Sequence, residues 1–285
     1  MVYDDKLPCM PVREENSNKG FFGKVLNFCG SNNYIGAAYL ATMSSLKIGA
    51  GYSALSSSKS VIEAVSKILP EAVYYSHKEG LLNLKNYSVI LLGSGLGLSN
   101  ASKKIFKNVI KILPDSIPII IDGDGLSLLA EFRKDKVLAK FVSNENKNCI
   151  ITPHPKEAAK LLNTNVEWVL ENLEEASKNL TDVYKCITVL KTHRTIVNNK
   201  NNNNNSVYIN KYGNSALAKA GTGDVLAGTI AGLVAQKMDL YEAAKLGVFI
   251  HSRAGEIASK ELTEYCLLSS ELSRYYPAVI KELIN

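Results

Sequence analysis

The sequence predicts an α/β fold: a mostly parallel central sheet flanked by helices on both faces. Three observations predict it. Strand-like and helix-like segments alternate as far as Lys191. Several strand candidates, "SVILL" and "IPIII" among them, are unbroken apolar runs, as strands covered on both faces are. The chain has 285 residues and 46% apolar content, enough for the core of one large domain spanning residues 1–285.

In order, "GKVLNFCG" reads as a strand, "GAAYLATMSSLKIGAG" as a helix, "YSALSS" as a short strand and "SKSVIEAVSKILP" as a helix. "YSVILLGSG" is a strand, "ASKKIFKNVIKILP" a helix, "IPIIIDGDG" and "NCIITPHP" strands, "KEAAKLLN" a helix and "CITVLKT" a strand. The period of the apolar residues decides each assignment. After Lys191 come two β-rich pieces around an asparagine tract, "THRTIVNNKNNNNNSVYINKYGNSAL". They read as a hairpin whose tip, Asn198 to Asn205, is exposed and mobile because it has nothing apolar to pack. From Asn214 onward the pattern is mainly helical, and there is no internal repeat or linker.

The longest uncharged apolar stretch, "VLAGTIAGLVAQ", is too short to span a bilayer, and "MVYDDKLPCM" has acidic residues where a signal peptide needs a basic flank. A cytoplasmic protein without a membrane partner is expected. The five cysteines are widely spaced with no CxxC pair, which argues against both a disulfide framework and a zinc knuckle. A net charge of +6 comes from dispersed lysines, so nucleic acid is not an expected partner and anionic small molecules are.

Ligands of open α/β sheets bind beyond the carboxyl ends of the strands, so the informative loops are "CGSNNYIGAA", "LGSGLGLS", "DGDGLS", "TPHPKE", "LKTHRT" and "AGTGD". The alternate glycines Gly93, Gly95 and Gly97 suit either a tight turn or a close approach to a ligand. Gly30, Gly36 and Ala37 open a helix that could face an anion. In "TPHPKE" two prolines hold His154 in an extended presentation, either to donate a hydrogen bond to a ligand or to cap the next helix. Glu157 falls in the first turn of that helix, where a carboxylate is favoured without any catalytic role. Lys191 ends a buried strand, where its charge needs an anion such as a nucleotide phosphate, while Arg194 could be a surface residue.

"AGTGDVLAG" sets Asp224 behind a glycine turn at the start of a buried helix. Backbone N–H groups of Gly221, Thr222, Gly223 and Asp224 can hold a phosphate there. A carboxylate at such a place repels phosphate, yet it serves well if it faces the hydroxyl that attacks the phosphorus and takes its proton. Asp224 therefore reads as a base.

With these stretches in hand, and with "YGNSALAKAGTGDVLAGTIAGLVAQ" and "GVFIHSRAGEIA" in the same order, the chain resembles along nearly its whole length the ADP- or ATP-dependent NAD(P)H-hydrate dehydratases of the ribokinase-like superfamily. The resemblance implies a hydro-lyase that repairs hydrated NADH or NADPH, using ADP, or less readily ATP, as phosphoryl donor with Mg²⁺. It implies that Ala37, Gly95, His154 and Asp224 contact the hydrate, with Asp224 catalytic. Lys191, Thr192, His193, Arg194, Thr195 and Gly223 would bind the nucleotide. A homo-oligomer such as a tetramer is implied too. The match begins near Leu7 with no epimerase domain ahead of it, so a separate epimerase is expected to interconvert the epimers of the hydrate.

The chain departs from the family pattern at four points: Ser94 for proline, Thr192 for glycine after the lysine, Ala220 before Gly221, and Ser127 for asparagine. Two other readings fit the same loops, a ribokinase-like kinase of a vitamin precursor or sugar and an inactive nucleotide-binding homologue. Trimming Asn201 to Asn205 to a short turn should leave turnover and thermal midpoint nearly unchanged, because closure cost moves by only about 0.6 kcal/mol per doubling of a loop. A loss of activity with the fold intact would give the tract a role at the site.

Overall fold

The unbroken apolar strands lie at the centre of one sheet in the computed structural model, which describes residues 2–145, 147–199 and 206–284. The elements are β1 (Val2–Tyr3), β2 (Lys24–Phe28), α1 (Ile35–Lys47), β3 (Tyr52–Ser57), α2 (Lys59–Val65), β4 (Val73–Ser76), α3 (His77–Asn83), β5 (Val89–Leu92), α4 (Asn100–Ile112), β6 (Ile119–Ile121), α5 (Asp124–Glu131) and α6 (Lys136–Ser143). There follow β7 (Cys149–Ile151), α7 (Pro155–Leu162), α8 (Val166–Glu171), α9 (Leu173–Tyr184), β8 (Ile187–Leu190), β9 (Ile196–Asn198) and β10 (Ser206–Ile209). The helices α10 (Thr222–Ala235), α11 (Leu240–Cys266) and α12 (Tyr276–Ile284) complete the chain.

The ten described strands run in the order β1-β10-β9-β8-β7-β6-β5-β2-β3-β4. All neighbours are parallel except β9, which opposes both β8 and β10. The hairpin expected after Lys191 is this antiparallel pair. Its tip begins later than expected: Asn198 is 4% exposed, being a β9 residue in register with Thr188 and Val207. Asn199, next in that expected tip, is only partly buried, and residues 200–205 lie outside the described residues. β1, β4, α3, α5, α6, α8 and α9 are additions to the elements read from the sequence.

Strand side chains alternate between two cores. Val25, Leu91, Ile120, Ile150 and Val189 face α1, α10 and α11. Leu26, Ile90, Leu92, Ile121, Ile151 and Leu190 face α4, α5, α7 and α9. Burial on both faces is why these strands carry no polar alternation.

The small residues of α10 have a packing reason. An added Cβ at Gly228 would lie 2.2 Å from the Ala41 carbonyl oxygen and from Ser44 Oγ, and one at Gly232 would lie 2.2 Å from Ile48 Cγ2. α1 and α10 thus meet nearly backbone to backbone, which draws the amino end of α10 over the carboxyl edge of the sheet.

From β2 the chain builds outward to β3 and β4, then crosses back to β5 on the other side of β2. The loops leaving β2 and β5 diverge there, opening the crevice at which such sheets bind ligands. The loops after β6, β7 and β8 end on the same edge. Gly228→Ala should destabilise the fold by about 1–3 kcal/mol through overpacking, read as a lower urea midpoint. An unchanged midpoint would show that α1 and α10 can separate freely.

Candidate active site

Three of the loops singled out in the sequence close on one another at the switch point. The Gly30 N–H donates to the Ser94 carbonyl at 2.9 Å, and Ser31 Oγ donates to the Gly95 carbonyl at 2.9 Å. A Cβ at Gly95 would sit 2.6 Å from that of Ala37, so Ala37 and Gly95 form one continuous surface from two loops. Further along, the Gly97 N–H donates to Asp124 Oδ2 at 2.8 Å, tying the β5 loop to the amino end of α5.

The "AGTGD" turn forms as its glycines require. Gly221 takes φ +92° as the residue before α10, a conformation in which a side chain is strained. The Thr222 hydroxyl turns back to the Leu217 and Lys219 carbonyls at 2.8 and 2.9 Å, and its N–H faces the Lys219 carbonyl at 3.3 Å. That N–H is engaged, which leaves Gly223 and Asp224 to present the unpaired first-turn N–H groups of α10. Lys191 Nζ lies 3.3 Å from where a Gly223 Cβ would be, so a lysine and a helix amino end converge on one spot.

Behind this spot is a buried charged cluster. Asp122, at the end of β6 and 2% exposed, accepts at Oδ1 from Lys191 Nζ at 2.8 Å and Thr152 Oγ1 at 2.6 Å. At Oδ2 it accepts from Ser94 Oγ at 2.8 Å. The anion expected for Lys191 is thus met first by Asp122. Burial would by itself discharge the Lys191 ammonium, but Asp122 and Glu157 outweigh it and hold the group above the ordinary lysine value. Burial, followed by repulsion from Asp122, pushes the Asp224 carboxyl up to about 7 against the pull of Lys191. Burial likewise pushes Glu157 up to about 7, again against Lys191.

His154 serves as the cap weighed for it from sequence. Its Nδ1 accepts from the Lys156 and Glu157 N–H groups at 3.1 and 3.3 Å, while Glu157 Oε2 accepts from the His154 N–H at 2.8 Å. Pro155 occupies the first position of α7, where its missing N–H costs nothing. With Nδ1 an acceptor, the ring carries its hydrogen on Nε2 and can still donate one bond outward. Burial and the nearby Lys191 lower its proton affinity.

Two cavities are lined by these loops. One of about 680 Å³ is lined by His154, Lys191, Thr192, His193, Thr195, Gly223 and residues of α11. Arg194 is exposed and is not part of that lining. His251 of α11 does line it, with Nε2 2.9 Å from the Thr222 carbonyl, and burial lowers its pKa to about 4. The other, about 590 Å³, is lined by Gly30, Asn32, Tyr34, Gly97, Ser99 and Asp124 among others. Among the described residues no group of three or more His, Cys, Asp or Glu side chains is arranged to hold a metal. No described helix is long and apolar enough to cross a membrane.

A family model described as NAD(P)H-hydrate dehydratase matches residues 25–278. The chain belongs to this family. It is 33% identical to the bifunctional NAD(P)H-hydrate repair enzyme of Thermofilum pendens over 98% of this chain and 54% of that protein. It is 32% identical to the ADP-dependent (S)-NAD(P)H-hydrate dehydratase of Listeria monocytogenes over 95% of this chain and 92% of that one. The chain thus spans about half the length of the bifunctional relatives. The ADP/ATP-dependent NAD(P)H-hydrate dehydratase of Bacillus subtilis, co-crystallized with ATP and Mg²⁺, superposes with a TM-score of 0.83 at 28% identity, covering 96% of this chain and 95% of that one. A hydroxyethylthiazole kinase of Pyrococcus horikoshii shares the fold at 15% identity and a TM-score of 0.66. The fold is ribokinase-like.

Two departures from the family pattern, Thr192 and Ser94, acquire local explanations, while nothing in the structure explains Ala220 or Ser127. The Thr192 hydroxyl accepts from the Arg194 N–H at 3.2 Å, shaping the turn after β8. Ser94 enters the charged cluster. Sequence reasoning did not single out Asp122, Thr152, Glu157 and His251 as site residues; for the first two, their place just after strands was the available signal. Because burial and the nearby Lys191 disfavour the imidazolium, the His154 ring should titrate below the ordinary value of about 6.5. Nitrogen-15 NMR should show the Nε2–H form; a ring protonated at neutral pH would contradict this geometry.

Proposed function

We propose that the protein dehydrates the hydrated nicotinamide ring of NADH or NADPH, with ADP converted to AMP and phosphate. One observation carries this reading. Asp224, a carboxyl with a pKa near neutrality, stands one residue behind Gly223, which faces Lys191 and lines with it a cavity large enough for a nucleotide. A base works best with its proton affinity near the working pH, and pockets of this volume hold small ligands. The named activities of the Listeria and Bacillus relatives support the same reading.

Hydroxide is a poor leaving group, so the ring hydroxyl must first be converted into a better one. Asp224 takes its proton as the oxygen attacks the terminal phosphorus of the nucleotide. The Gly223 and Asp224 N–H groups, the positive end of α10 and Lys191 offset the charge on the transferring group. The ring nitrogen's lone pair then expels phosphate, and loss of a proton from the adjacent carbon restores the double bond. His154, limited to donating from Nε2, orients the substrate. Mg²⁺ would arrive on the nucleotide's own phosphate oxygens, as it commonly does, and would add charge neutralisation there. Ala37 and Gly95 offer the close surface against which the ring would lie, and Thr192, His193 and Thr195 line the nucleotide side.

Pairing with an epimerase, implied by the resemblance, is supported by the bifunctional naming of the longer relatives. The deciding experiment supplies hydrated NADH with ADP or ATP separately and follows near-ultraviolet absorbance of the restored ring together with phosphate. Both should rise together, faster with ADP. A stable phosphorylated product on another substrate would assign a kinase, and nucleotide binding without turnover an inactive homologue.

Asp224→Asn should keep the fold and ADP binding while lowering turnover roughly 100-fold or more, the usual range for a lost general base. Near-normal turnover would remove Asp224 from that role. Because the carboxyl is raised rather than lowered, its proton-accepting form is present above about pH 7 and is lost below it. The pH profile of kcat/KM should therefore fall on the acid side near neutrality; a limb in the ordinary carboxylate range would contradict the buried geometry.

A further inference from the structure

Ser94 stands among the two acids and a thiol with a single proton to give. It is fully buried, its carbonyl is fixed by the Gly30 N–H, and its hydroxyl donates to Asp122 Oδ2 at 2.8 Å. The same hydroxyl faces the Asp224 carboxyl and the Cys29 thiol. Asp122 does not depend on Ser94 alone, because Thr152 and Lys191 already occupy its other oxygen at 2.6 and 2.8 Å. Turning that hydroxyl from Asp122 toward Asp224 would therefore leave Asp122 with two of its three partners.

We propose that Ser94 is a positioning residue for the reaction: its one hydroxyl, shared between Asp122 and Asp224, lets two buried acids stand together and keeps Asp224 able to accept a proton at neutral pH. The inference rests on the reading of Asp224 as the base. When Asp224 is a carboxylate, Ser94 turns its hydrogen toward it. When Asp224 has taken the substrate's proton, Ser94 accepts from it and gives its own hydrogen back to Asp122. Neither form of Asp224 is left without a partner, which matters where an unmet buried polar group is costly.

The groups facing Asp224 set the direction of each test. Asp122 at the end of β6 and Asp124 at the start of α5 raise its proton affinity, while Lys191 after β8 and Ser94 after β5 lower it. The Cys29 thiol, beyond β2, is pushed up by burial and by the two acids and stays neutral. His251 of α11 is also neutral at pH 7.

Ser94→Ala removes the hydroxyl, so the acid limb of kcat/KM should move up by about one pH unit, about a tenfold lower value than wild type at pH 6 with the plateau unchanged. Ser94→Thr keeps the hydroxyl and should restore the limb. Asp122→Asn removes a repelling charge and leaves Lys191 turned to Asp224, so its limb should move down. A change that only loosened the fold would not move the two limbs in opposite directions. Where a variant is too inactive to assay, carbon-13 NMR of the Asp224 carboxyl reads the same quantity. Limbs that stay in place, or move the same way, while Asp224→Asn abolishes turnover would overturn the role of Ser94 and leave the base intact. Full turnover in Asp224→Asn would overturn the base reading and this inference with it.

Discussion

The structure depends on placing two carboxylates, Asp122 and Asp224, together in a nearly dry site with one ammonium to balance them. Isolated buried charges are expensive, and a buried pair is tolerated only when its remaining atoms are hydrogen-bonded. Here the partners come from five different segments: Ser94 after β5, Asp122 after β6, Thr152 after β7, Lys191 after β8 and Asp224 from α10. Parallel strands of similar length bring four of these loops to one edge, and the close contact of α1 with α10 brings the fifth. The sheet's order is thus what makes the cluster possible.

Once assembled, the cluster resolves the conflict of a negative side chain at a helix end suited to phosphate. Lys191 and the Gly223 and Asp224 N–H groups would attract an anion, while burial and Asp122 weaken the charge on Asp224 itself. A carboxyl of raised proton affinity repels phosphate less before reaction and takes a proton more readily during it. The cavity lined by Gly30, Tyr34 and Gly97 opens where the loops after β2 and β5 diverge.

The elements that were legible in the sequence are the ones under a single strong constraint. β5 and β6 are apolar on both faces, β2 and β8 carry one buried polar residue each, Asn27 and Thr188, and α4 and α7 carry clean one-sided patterns. β4 is an edge strand, half-buried along most of its length, so its "VYYS" lacks the unbroken apolar signature. α9 shows its core to α7 and β8 only through residues such as Ala176, Leu180 and Tyr184, amid charged and polar neighbours. β1 exists because β10 offers it an open edge and Lys245 meets Asp4 at 2.6 Å across the fold, a partner 241 residues away that no local pattern reveals.

By itself the sequence determined the fold class, the loops that bear on ligands and the place of Asp224 in the first turn of α10, because glycine turns and apolar periodicity act over a few residues. Only the tertiary structure decided that His154 spends one ring nitrogen on capping α7 and that Arg194 lies outside the cavity lining. The tertiary structure also decided that Asn198 is covered by its neighbours in β8 and β10 rather than exposed at a hairpin tip. It alone decided that Ser94, Asp122 and Lys191 belong to one cluster. Hydrogen bonds and charge effects depend on distance in space, and the strands that set those distances are paired across long stretches of chain.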